Sequence, residues 1–176
     1  KNIGYVDAPV SGGVKAATEG TLVMMLGGAD ADVAKVNDIV KNYAKTITHI
    51  GAVGHGQVAK LCNQIAQVIN IQGVAESLRF AASNGADLQK VFEAISGGMA
   101  GSRMLDLMGP KMVGRDFKAG IEARLHAKDF FLVKDAAQAA NLDMPALQTV
   151  ARQLEKLMDA GWGYDDTSSL LKVLEA

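Results

Sequence analysis

Cysteine is almost absent from this 176-residue chain: Cys62 is the only one. An intramolecular disulfide is therefore excluded, and a cytoplasmic setting is the default expectation. Cys62 itself reads as a buried structural thiol on the apolar flank of a helix. Proline occurs only three times, and aromatics make up 5% of the residues. Neither charge sign dominates, since the formal net charge is −1. No overall electrostatic case exists for a nucleic-acid or anionic-membrane partner. No apolar run approaches the length of a membrane span, and no signal peptide is visible at Lys1. There is no internal repeat and no low-complexity tract. A first residue other than Met suggests a trimmed or fragmentary chain. The 49% apolar fraction is ordinary for a globular protein with a real core.

Two halves differ in pattern. Residues 1–51 mix short strands with one helix. Ile3 to Val10 alternates, then Ser11-Gly12-Gly13 follows. Thr21 to Leu26 reads as a buried strand, Asp30 to Tyr43 as a helix and Thr46 to Ile50 as a third strand. From Gln57 onward the pattern is helical. Gln57 to Asn84 predicts one helix of about 28 residues, about 42 Å long at 1.5 Å per residue, ending at Gly85. Asp87 is positioned to cap a helix over Leu88 to Ser96. Ser102 is positioned to cap a short helix ending near Gly109-Pro110. Leu125 to Ala140 follows, closed by Asn141. Asp143-Met144-Pro145 starts the next helix, which runs to Asp159 or Ala160. A last helix near Thr167 to Leu174 is capped by Asp166 or Thr167. The fold class expected is an α/β remnant followed by an all-α domain built on a long helix. Three strands and one helix cannot cover both faces of a parallel sheet, so sheet partners are expected N-terminal to Lys1.

The most informative feature is a polar stripe on the long helix. Residues three and four apart share a face, so Lys60, Asn63, Gln64 and Gln67 line up among apolar neighbours. Burying an ammonium and three carboxamides costs several kcal/mol, on the order of 2–7 for each unpaired polar group. The stripe therefore points to an internal network or to a wet cleft holding a ligand. Gly54-His55-Gly56-Gln57-Val58-Ala59 fits the loose dinucleotide pattern G-x-G-x-x-[GA]. The pattern also requires an acid at the end of a second strand. Glu76 has the spacing but falls in mid-helix, so the glycines read as a tight strand-to-helix connection. Ser11-Gly12-Gly13 is either an ordinary turn or an anion nest of glycine amides with a serine donor. His49, His55 and His126 lack metal-ligand spacing, although His126 is near the expected cleft. Met104, Met108 and Met112 follow a helical period and read as packing.

Three motifs in order, Asp7-Ala8-Pro9-Val10-Ser11-Gly12-Gly13, then Gly51-Ala52-Val53-Gly54-His55-Gly56-Gln57 with Lys60 and Asn63, then Lys128-Asp129, resemble the β-hydroxyacid dehydrogenases. That family includes 3-hydroxyisobutyrate dehydrogenase, tartronate semialdehyde reductase and, more distantly, 6-phosphogluconate dehydrogenase. The resemblance covers essentially the whole chain. It implies a Rossmann-type remnant at 1–51, an interdomain helix at 52–84 and a helical substrate and dimerisation domain at 85–176. It implies that the family's N-terminal glycine-rich nucleotide loop is outside the chain, so that the isolated fragment is inactive. NAD or NADP is the implied cofactor and a small carboxylate the implied substrate. A homo-oligomer, dimer or tetramer, is the implied assembly. Lys60 is the implied proton donor and acceptor. An ammonium among carboxamides in a partly desolvated cleft can titrate nearer the working range. Ser11, Gly12 and Gly13 would hold the carboxylate, Asn63 and Gln64 would contact substrate, and Lys128 with Asp129 would serve the cofactor. Asp129 reads equally as a brace for a lysine or as a surface ion pair. Ile121, Glu122 and Arg124 are substrate selectors or surface residues. Gly101-Ser102, Asp116-Phe117-Lys118, Leu125-His126 and Asp165-Asp166-Thr167-Ser168-Ser169 lean toward the tartronate semialdehyde reductase branch. The rival expectation is a non-catalytic helical oligomerisation module or scaffold.

Overall fold

The computed structural model describes residues 3–176. The chain divides into two compact units, one ending at Asn63 and the other spanning Gln64–Ala176. The first holds strands β1 (Val6–Asp7), β2 (Val10–Ser11), β3 (Leu22–Gly28) and β4 (Ala44–Gly51). Helices α1 (Gly13–Thr18) and α2 (Asp30–Val40) lie between them, and α3 (His55–Ser83) begins there.

The sheet is mixed rather than parallel. β3 pairs with β4 in parallel, with α2 as the crossover. β1 and β2 both pair antiparallel with β3, at Val6–Gly28 and Val10–Met24 respectively. The expected first strand is thus split in two. Pro9 has no N–H to give the ladder, and only its carbonyl is used, accepting from Met25 N at 3.0 Å. A second correction concerns α1, which was not expected. Its sequence GVKAAT buries no residue, so it carries no apolar periodicity to read. Leu22, Met24 and Leu26 of β3 point into a core with Val33 and Val40 of α2 and Ala44 of β4. The strand is legible in the sequence as a compact apolar run between Gly20 and Gly27-Gly28.

The second unit is helical: the rest of α3, then α4 (Leu88–Ser96), α5 (Arg103–Gly114), α6 (Ala123–Ala139) and α7 (Pro145–Asp159). A 3₁₀ turn at Thr167–Ser169 leads into α8 (Leu170–Glu175). α3 ends as expected at Gly85, where φ is 70°. Ala86 N donates to Ala81 O and Gly85 N to Ala82 O, the pairing of a Schellman cap. Asp87 caps α4 through Gln89 N and Lys90 N, and Ser102 caps α5 through Leu105 N. α5 does not stop at Pro110. It continues to Gly114 because Met108 and Met112 are buried, and it ends at Arg115 in the left-handed region. The packing outweighs the one carbonyl that Pro110 leaves without a helical donor. Phe130, Leu147, Leu154, Leu157, Leu170 and Leu171 form the heart of this unit.

The C-terminal segment is pinned by polar groups. Asp166 is fully buried and accepts from Gly120 N (2.8 Å), Ile121 N (3.3 Å) and Ser168 N (3.0 Å). Lys111 Nζ lies 3.4 Å from the same carboxylate. Burial raises the pKa of Asp166, but the hydrogen bonds from Ser168, Gly120 and Ile121 together hold it below the usual 3.8. Arg115 and Glu175 form a bidentate pair at 2.8 Å. Lys172 stands 3.9 Å from the ring centre of Trp162 and 2.9 Å from Asp165.

Candidate active site

The first unit brings three expected elements together. Lys60 is half-buried on α3, and its Nζ donates to the Val10 carbonyl at 3.0 Å. Val10 immediately precedes Ser11-Gly12-Gly13, so the ammonium sits at the entrance to that loop. Gly12 has φ 125° and Gly13 φ 65°, both left-handed. A Cβ on Gly12 would also lie 2.4 Å from the Ala16 Cβ. The loop therefore needs glycine here, and its backbone at 12 and 13 is exposed. Asn63, one turn beyond Lys60, is half-buried.

In the second unit Gln64 is buried, and its Nε2 donates to Asp129 Oδ2 at 3.0 Å. Asp129 Oδ1 lies 3.3 Å from Lys128 Nζ, whose side chain is 70% exposed. Asp129 thus contacts both a buried carboxamide and an open cation. Glu122 pairs with Arg124, which lies over Tyr164. His126 is buried, with Nδ1 2.7 Å from Thr167 Oγ1. That bond makes it part of the packing of the 3₁₀ turn. A hollow of about 420 Å³ is lined by Lys134, Leu142, Met144 and Arg152, and by none of the expected site residues.

Two sequence expectations need correction or completion. Cys62 is exposed, not buried. The helix is apolar around most of its girth, so periodicity alone could not tell which flank meets a core. Asp7 has no role assigned by the sequence beyond its place in the first motif. It is buried, and its Oδ1 accepts from Gly54 N (2.6 Å) and its Oδ2 from Gln57 N (2.9 Å). Burial raises its pKa, yet the amides of Gly54, Gln57 and Gly56 together hold it below 3.8. The Gly54-x-Gly56 loop therefore spends amides on Asp7 and does not fit a dinucleotide pyrophosphate. A Cβ on Gly56 would lie 2.5 Å from Met25 O, which makes it a close-packing glycine. The signal for Asp7 was a carboxylate in an otherwise apolar strand.

The fold is a Rossmann-type remnant followed by an all-helical unit. The family profile described as NAD-binding of NADP-dependent 3-hydroxyisobutyrate dehydrogenase matches residues 54–174. The NAD binding domain of 6-phosphogluconate dehydrogenase matches residues 1–51. The chain belongs to the 3-hydroxyisobutyrate dehydrogenase family. It is 40% identical to the 2-hydroxy-3-oxopropionate reductase of Escherichia coli K12, over 97% of this chain and 59% of that protein. The Mycobacterium tuberculosis 3-hydroxyisobutyrate dehydrogenase structure with L-serine superposes with a TM-score of 0.89 at 31% identity, over 97% of this chain and 61% of that one. The Salmonella typhimurium 3-hydroxyisobutyrate dehydrogenase gives a TM-score of 0.90 at 26% identity, over 98% and 61%. The chain thus spans about three-fifths of the length of these relatives.

Proposed function

We propose that the protein carrying this chain is an NAD(P)-dependent oxidoreductase that interconverts a small 3-hydroxy acid and its semialdehyde. The observation that carries the reading is the Lys60 ammonium 3.0 Å from Val10 O, at the mouth of the Ser11-Gly12-Gly13 loop. A carboxylate seated on that loop leaves the neighbouring carbonyl carbon of the substrate within reach of Lys60. In the reductive direction Lys60 protonates the oxygen as the carbonyl is reduced. In the oxidative direction it takes the hydroxyl proton. Asn63 orients the substrate oxygen. Gln64 lines the substrate contact and is itself held by Asp129. The nicotinamide, when bound, supplies or accepts the hydride. Lys128 is assigned to the cofactor on the family resemblance; it is exposed and stands 3.3 Å from Asp129. The 40% identity to the Escherichia coli reductase favours 2-hydroxy-3-oxopropionate as substrate.

A homodimer or tetramer in the cytoplasm completes the reading. No helix among the described residues is long and apolar enough to cross a membrane. Phe80, Leu107, Leu132 and Leu142 are large apolar residues that the second unit leaves exposed, a surface that suits a subunit contact. Replacing Lys60 tests the reaction. In the full natural protein Lys60→Ala is expected to lower kcat by at least about 10²-fold with cofactor affinity unchanged. Wild-type turnover in that variant removes Lys60 from the chemistry.

A further inference from the structure

The link between Asp7 and the start of α3 carries a role that the reading above does not include. Gly54 occupies the position before the first residue of α3, where Ser, Thr, Asp or Asn ordinarily caps the free amides of the first turn. Its φ of 92° is left-handed, a conformation that suits glycine. The helix therefore cannot supply its own cap side chain. Asp7, 47 residues earlier, takes that place from β1. Its carboxylate bridges Gly54 N and Gln57 N, the latter being the amide that an ordinary cap would serve. The slot is built for this group. A Cβ on Gly27 would lie 2.4 Å from Asp7 Oδ1, and a Cβ on Gly56 would lie 2.6 Å from Asp7 Oδ2.

The same two segments are tied a second time. Three residues after Asp7, Val10 O accepts from Lys60, which stands three residues after Gln57. One tie is a buried carboxylate held by two amides. The other is the ammonium assigned to proton transfer. We infer that Asp7 is a positioning residue: its cross-chain cap fixes the first turn of α3 against β1 and β2 and so holds Lys60 at the Ser11-Gly12-Gly13 loop. This inference rests on the proposed role of Lys60.

The test uses the full natural protein with 2-hydroxy-3-oxopropionate and NAD(P)H, comparing wild type with Asp7→Asn, Asp7→Ser and Lys60→Ala. Asn keeps the size but must present an NH₂ to one of the two amides. Ser is smaller and leaves the slot unstrained should Asn not fold. Both variants are expected to lower kcat at least about 10-fold, while KM for the cofactor stays within about threefold. The loss falls on kcat and not on KM for the cofactor, the split that displacement of Lys60 alone produces. Lowered thermal stability with unchanged kcat overturns the positioning role and leaves Asp7 as a structural cap. If Lys60→Ala retains turnover, the reading of the site itself fails, whatever the Asp7 variants do.

Discussion

Asp166 offers the sharpest test of the physical account of the second unit. Its carboxylate is fully buried and satisfies three backbone amides, with Lys111 Nζ at 3.4 Å. Asp166→Ala leaves those three amides without their acceptor and takes the carboxylate partner from Lys111, whose Nζ keeps the Lys118 carbonyl at 2.7 Å. Each orphaned buried donor costs about 1–3 kcal/mol, and breaking a buried charge pair costs about 3–5 kcal/mol in all. The contributions overlap, so the expected loss is about 4 kcal/mol. At about 2–4 °C per kcal/mol for a chain of this size, that is a fall in Tm of roughly 10 °C. Asp166→Asn keeps one good acceptor and turns an amide toward another donor, so it should cost about half as much. The pH dependence follows from the lowered pKa. The folded carboxyl ionises below the ordinary 3.8. Its stabilisation is therefore fully present above that ordinary value and is lost as pH falls through the folded value. Urea unfolding of wild type and Asp166→Asn at neutral pH and near pH 3 measures both effects. The gap between the two proteins should be wide at neutral pH and narrow in acid. Equal stability at neutral pH, or a gap that does not shrink in acid, refutes the reasoning.

Other expected outcomes are simpler. Gly56→Ala places a methyl 2.5 Å from Met25 O; it should destabilise the first unit by about 1–3 kcal/mol, seen as a lower urea midpoint, whereas Gly114→Ala, with open space, should not. Cys62 is the one thiol and is exposed, so the native chain should react with one equivalent of Ellman's reagent without denaturant; a reaction that waits for denaturant would restore the buried reading. Arg115→Ala removes a bidentate ion pair whose arginine side chain is 56% exposed. Screening should limit the loss to about 1 kcal/mol or less, and raising the salt should shrink it further.

Features written in local chemistry were the legible ones. α3 has no proline and is stopped by Gly85, so its span could be read directly. Asp87 and Ser102 cap helices that begin one residue later, and a cap is a short-range signal. Asn141 takes φ 53° after α6, as its place after the last periodic residue suggested. What escaped depends on tertiary contact. Pro110 sits inside α5 because Met108 and Met112 are buried beyond it. α1 has no buried residue and hence no pattern. Of the site, Lys60, Asn63, Gln64 and the glycine loop could be named from motifs. The bonds from Lys60 to Val10 and from Gln64 to Asp129 could not, because those partners are 50 and 65 residues away. Asp7 escaped for the same reason.

The Lys172–Trp162 contact has a practical consequence for spectroscopy. Trp162 is the only tryptophan, and it lies in the second compact unit with an ammonium 3.9 Å from its ring centre. Excitation selective for indole therefore monitors one unit and is blind to the other. A fluorescence melt of this chain can be sharp and reversible while saying nothing about the strands that carry the glycine loop. Far-ultraviolet circular dichroism weights the helices of both units. Coincidence of the two signals would show a single cooperative transition, and a displaced fluorescence curve would show two.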